Sequence, residues 1–211
     1  MKNPSTRNYM LSVGITGGIG SGKTTVCKTF ESLGIPVYYS DDRAKYLMQH
    51  EHFLIDQIKK EFGEEVYDNG ILQREKLASI VFGNDEKLRK LNALVHPVVF
   101  RDTERWTEEQ RTKDIPYCIK EAALLIETGS YKNLDKLIVV TAPKNVRVKR
   151  IIERDHTNDA EVNSRINSQM SDDEKIILAD FVINNQKGID ELKNEVLKVH
   201  EQILALLHDK K

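Results

Sequence analysis

Short runs dense in β-branched and aliphatic residues alternate along this chain with longer stretches whose apolar positions recur every three or four residues. Leu11–Thr16 is the first short run; it ends at glycines and reads as a strand. From Lys23 the apolar positions Val26, Phe30 and Leu33 predict a helix, stopped by Gly34. Residues 35–39 form a second strand, with Pro36 near its start, where a missing N–H is tolerated. The pattern then turns helical. Ile55, Ile58 and Phe62 share one face before Gly63, and "YDNG" at 67–70 is a turn signal. Leu77, Ile80 and Val81 follow, with Gly83 as a C-terminal cap. Asn84 caps a further helix carrying Leu88, Leu91 and Val95, which Pro97 ends or kinks at His96.

Strand-like runs resume at 115–120, 137–141 and 181–183, and the last two are separated by a polar, arginine-bearing helical stretch. Ser171 and Glu174 match a capping box there. The closing helix, 189–207, keeps Ile189, Leu192, Val196, Val199, Ile203 and Leu206 on one side. Strands alternating with helices imply an α/β fold: a five-stranded parallel sheet with helices on both faces. Residues 52–111 are a helical insertion between two strands, suited to binding a second substrate. The core is then 1–51 and 112–211.

Composition changes this picture little. The 211 residues are 39% hydrophobic and 31% charged, an ordinary globular balance, and a formal net charge of -1 advertises no nucleic-acid partner. Any polyanion site must be built from local cations. Cys27 and Cys118 each sit in an apolar stretch and read as buried thiols. The opening "MKNPSTRNYML" lacks the apolar centre of a secretory signal, and no run reaches transmembrane length, so a cytoplasmic protein without membrane contact is expected.

The chemistry concentrates in Gly17-Gly18-Ile19-Gly20-Ser21-Gly22-Lys23-Thr24, which fits G-x-x-x-x-G-K-[ST] and lies between a strand and a helix. Successive backbone N–H groups aimed at phosphate oxygens need a close approach that Cβ atoms obstruct. The helix start adds the positive end of its dipole. Gly18, Ile19, Gly20, Ser21, Gly22, Lys23, Thr24 and Thr25 are therefore the expected nucleotide-binding residues. Lys23 supplies a cation for the β- and γ-phosphates, and Thr24 a hydroxyl for Mg2+.

This motif leaves the reaction open. A GTPase switch would show D-x-x-G and N-K-x-D, whereas "NLDK" at 133–136 has another order. A small-molecule kinase fits the length, the insertion and the arginines. Asp41 and Asp42 follow strand two, near the sheet edge that carries the loop; consecutive extended residues would face opposite ways. They read as helix N-cap or first-turn acids, or as one acid that orients an acceptor hydroxyl. Arg147, Arg150 and Arg154 are spaced i, i+3, i+7, and Arg165 follows. That row is a solvated face or a lid closing over ATP. His96, before a proline, packs, caps or faces substrate, with catalysis the remaining alternative.

With these residues in view, the chain resembles the dephospho-coenzyme A kinase family nearly end to end. The resemblance rests on "LSVGITGGIGSGKTTV", "LGIPVYYSDDRAK", "LQREKLASIVFGNDEKLRKLNALVHPVV", "ALLIETG", "VKRIIERD" and "RINSQMSDDEKIILADFVINN". It implies a P-loop kinase fold with a small lid at about 147–168. The implied reaction is ATP-dependent phosphorylation of the ribose 3'-hydroxyl of dephospho-coenzyme A, with Mg2+. It implies that Asp41 activates the hydroxyl, that Arg150 and Arg154 cover ATP, and that Arg74 and His96 lie on the acceptor side. Catalysis would rest on Asp41, Lys23 and Arg150. Two departures stand out: Tyr39 replaces the family's first strand-two aspartate, and Ala123 replaces the proline of P-L-L-x-E, while Glu127 is kept. A monomer acting on a small molecule is expected.

Overall fold

The computed structural model describes residues 10–208; residues 1–9, most of the stretch read as lacking a signal, and 209–211 lie outside the described residues. The first elements are β1 (Leu11–Thr16), α1 (Lys23–Ser32), β2 (Val37–Tyr39), α2 (Ser40–His50) and α3 (His52–Phe62). Then come β3 (Tyr67–Asp68), β4 (Ile71–Leu72), α4 (Arg74–Val81) and α5 (Asp85–Arg111). The chain continues through β5 (Tyr117–Glu121), β6 (Lys136–Thr141), α6 (Lys144–Asp155), α7 (Asp159–Asn167), α8 (Asp172–Leu178), β7 (Phe181–Asn184) and α9 (Ile189–His208). Two compact units result. One comprises the described residues up to Tyr38 together with those from Gln110 onward, and the other is Tyr39–Glu109.

The first unit is built on a five-stranded parallel sheet of order β2-β5-β1-β6-β7. Register pairs Ile15 with Glu121 across β1 and β5, and Thr16 with Val139 across β1 and β6. The C-terminal ends of these strands therefore share one edge. Val13, Ile15, Ile119 and Ile138 are fully buried, as expected for central strands covered on both faces. Val26, Cys27 and Phe30 of α1 and Leu192, Val196, Val199 and Ile203 of α9 form the helical cover of the sheet. A separate cluster of Leu125, Ile126, Leu137 and Val139 packs with Met170 and Ala179. The capping box at Ser171 and Glu174 is present.

The second unit has its own core, in which Leu54, Ile58 and Phe62 of α3 meet Leu47, Val66, Leu77, Val95 and Val98. The "YDNG" turn joins β3 to β4 as an antiparallel hairpin inside the region read from sequence as a helical insertion with a turn there. Its strands are two residues long, too short to show a period.

Four sequence expectations need correction. Helix α5 runs through Pro97 to Arg111 and does not end at His96. Val95 and Val98, buried on either side, hold it in place, while exposed Pro97 leaves the broken hydrogen bond to solvent. Leu33 and Leu88 are exposed, because α1 ends at Ser32 and α5 turns its first residues outward. Asp41 and Asp42 are not extended, and the first-turn alternative is the one observed: they occupy the first turn of α2, where the helix dipole favours acids. Strand β2 starts at Val37, after Pro36, whose carbonyl accepts from Ile119 N–H at 2.9 Å.

Candidate active site

β1 delivers the chain to the sheet edge at Thr16, whose hydroxyl donates to Ala123 O at 3.1 Å. The next six residues form a loop, and α1 starts at Lys23. Side chains from distant segments hold the loop carbonyls. Arg147 Nε donates to Ile19 O at 2.8 Å, and Asn185 Nδ2 donates to Ser21 O at 2.8 Å. In a planar trans peptide the carbonyl of one residue and the N–H of the next point opposite ways. These two bonds therefore turn the N–H groups of Gly20 and Gly22 away from Arg147 and Asn185. A set of like-directed amides before a helix start is an anion cradle.

Two other loop amides are committed within the protein. Ile19 N–H donates to Gln169 Oε1 at 2.8 Å, and Ser21 N–H to Gly18 O at 3.1 Å. Of the residues expected to bind nucleotide, Ile19 thus turns its amide to a side chain. Lys23 Nζ donates to Gly17 O at 2.9 Å, folding its ammonium over the loop. Thr24 and Thr25 are exposed in the first turn of α1. Cys27, fully buried in the same helix, has its thiol pushed far up by burial, then by Glu121 and Glu31. It is an inert packing group.

The arginine row divides. Arg147 is only 5% exposed, which removes it from any solvated face; its Nη1 lies 3.0–3.1 Å from both oxygens of Asp172. Arg150 reaches Asn185 O and Oδ1 at 3.2 and 3.3 Å, and Gly20 O at 3.5 Å. Arg154 is engaged by Asp155 at 2.7 and 3.0 Å, and Arg165 joins the same carboxylate at 3.1 Å. Arg154 holds the Asp155 carboxyl below its usual range, helped by Arg165. So the structure brings Arg150 to the loop and sets Arg154 in an exposed carboxylate cluster.

Asp41, Arg74 and His96 belong to the second unit, on α2, α4 and α5. Asp42 is paired with Lys45 at 2.8 Å; exposed Asp41 has no such pair among the described residues. Helix α2 is tethered within its unit by Arg43, whose Nε and Nη2 reach the buried Asp102 carboxylate at 2.9 and 3.0 Å. Arg105 adds a third bond at 2.6 Å. Arg74 lines an open cleft of about 840 Å3 with Tyr67, Gln73 and Lys76. His96 is exposed beside Pro97.

Sequence reasoning missed Gln169, Asn185 and Asp172, although one quoted segment, "RINSQMSDDEKIILADFVINN", contains all three. Each acts on a residue far away in the chain, which periodicity does not reveal.

Residues 11–191 match the dephospho-CoA kinase family. The chain belongs to that family. It is therefore a kinase of the last step of coenzyme A synthesis. It is 39% identical over 195 residues to a dephospho-CoA kinase of Aquifex aeolicus, covering 92% of this chain and 98% of that one. A dephospho-CoA kinase of Bacteroides fragilis is 35% identical over 200 residues, covering 95% and 94%. Among solved structures, a dephospho-CoA kinase from Campylobacter jejuni superposes with a TM-score of 0.64 at 26% identity, covering 92% and 97%. A shikimate kinase from Acinetobacter baumannii, TM-score 0.53 at 15% identity and covering 94% and 95%, shares the fold.

Proposed function

We propose that residues 18–25 hold the polyphosphate of ATP while Asp41 orients the ribose 3'-hydroxyl of dephospho-coenzyme A and takes its proton. The observation that carries this reading is the loop itself, at the entrance of α1, where Arg147 and Asn185 hold the Ile19 and Ser21 carbonyls and so turn the Gly20 and Gly22 amides away from themselves. Phosphoryl transfer depends mainly on position and electrostatics, so a preset amide cradle and one aimed carboxylate are its main protein requirements. Asp41 suits the second role better than Asp42, which Lys45 already engages. Lys23 meets charge on the β- and γ-phosphates. Arg150 and Arg154 cover the nucleotide, and the segment 52–111, with Arg74 and His96, receives the acceptor.

ATP chemistry of this kind uses Mg2+, and the donor set fits that ion. Thr24 offers an exposed hydroxyl, and Glu121 a mostly buried carboxylate at the end of β5, in register with Ile15. Hard oxygen donors suit Mg2+, which takes much of its shell from water and phosphate. Thr24 and Glu121 would hold it, and the ion would neutralise charge between the phosphates.

No helix among the described residues is long and apolar enough to cross a membrane. We place the protein in the cytoplasm as a monomer acting on a small molecule, without nucleic acid. Asp41→Asn should lower turnover by about 10²- to 10⁴-fold, the usual worth of a positioned acid–base group, with ATP affinity unchanged. Turnover near that of the unaltered protein would remove Asp41 from the reaction.

A further inference from the structure

We infer that Gln169 and Arg147 are positioning residues that together set the phosphate-binding loop, so that affinity for the polyphosphate depends on the α7–α8 connection. This rests on the reading of the loop as the ATP phosphate site.

The argument starts from one residue. Both backbone groups of Ile19 are held by side chains: its N–H by Gln169 Oε1 and its carbonyl by Arg147 Nε, each at 2.8 Å. The two peptide planes flanking Ile19 are therefore both fixed from outside the loop. Arg147 in turn is held by Asp172, the first residue of α8, three positions beyond Gln169. The circuit closes through the chain itself: Ile19, Arg147, Asp172, the backbone back to Gln169, and Ile19 again.

The circuit has a sequence consequence at Gly18. A Cβ there would lie 2.2 Å from Arg147 Nη2 and 2.6 Å from Cζ. Gly18 is a glycine in this chain because the guanidinium packs on its Cα. Gly18 O accepts from Ser21 N–H at 3.1 Å, so the Gly18–Ile19 peptide is bonded at both ends, to Ser21 and to Gln169. Removing the Gln169 acceptor leaves Ile19 N–H without its partner and frees that peptide to rotate. The Ile19–Gly20 peptide, which aims the Gly20 amide, is its neighbour. Neither side chain needs to touch nucleotide to act in this way.

The test measures ATP affinity by calorimetry for the unaltered protein, Gln169→Leu, Arg147→Met and the double variant, beside melting temperature without ligand. Gln169→Leu should weaken ATP binding about three- to tenfold, the worth of one hydrogen bond, while its melting temperature stays within about 2 °C. The double variant should lose less than the sum of the single losses, because the two changes release adjacent peptides on either side of Ile19 and freeing one already loosens the other. Should Arg147→Met fail to fold, Gln169→Leu alone decides. Affinity within twofold of the unaltered protein, or tighter as expected of a side chain that competes with phosphate, overturns the inference. If the unaltered protein itself fails to bind ATP, the reading of the loop falls and the inference with it.

Discussion

A methyl group added at position 22 would lie 2.0 Å from Asn185 Nδ2, and the backbone there has a φ of 95°. Both facts forbid a side chain, the first by contact and the second by conformation. Gly22→Ala should therefore cost about 1–3 kcal/mol of stability. It should also displace Asn185 from Ser21 O, so ATP affinity should fall with the melting temperature; normal values of both would contradict this account. At this scale the sequence shows that glycine is required but not by what. The motif spacing reveals a phosphate loop, yet Asn185 and Ser21 stand 164 positions apart, and no local pattern links them. The arginine row was readable as a helix face, but its division was not. Arg147 is buried because Ile19 O and Asp172 happen to meet it, a tertiary fact.

At the scale of elements, the packing of α1, β5 and α9 has a pH dependence of its own. The Tyr117 ring, fully buried, meets Phe30 edge-on with centroids 6.4 Å apart, and its hydroxyl lies 2.6 Å from His200 Nδ1. Burial holds the His200 ring below its ordinary value near 6.5, partly offset by Glu201. The folded chain then binds that proton more weakly than the unfolded chain. This contribution to stability is present above about pH 6.5 and is lost as pH falls toward the folded value. Melting temperatures taken from about pH 7.5 to about pH 5 should fall less steeply for His200→Gln than for the unaltered protein. Equal slopes would show that His200 does not carry the effect. Helices were legible where one face is buried, as in α3 and α9. They misled where a rule acts locally but packing overrides it, as at Pro97 in α5 and in the helical first turn of α2.

At the scale of the molecule, alternation of strand and helix patterns was enough to foresee a parallel sheet, but it contains no information on strand order. The order β2-β5-β1-β6-β7 puts β1 at the centre, with β5 and β6 beside it. That placement surrounds the phosphate loop with strand ends that supply Glu121 and Thr141, the latter accepting from Asn185 N–H at 2.7 Å. The second unit keeps a separate core, so the sequence spends its middle third on a body of its own. Family membership ties the loop to a reaction, and the transfer itself is the direct test. ATP labelled at the γ-phosphate is incubated with the protein and, in parallel, dephospho-coenzyme A, shikimate and a nucleoside. Label should appear in coenzyme A at its ribose 3'-phosphate and in neither other acceptor. Label in shikimate or the nucleoside, or only in free phosphate, would contradict the account.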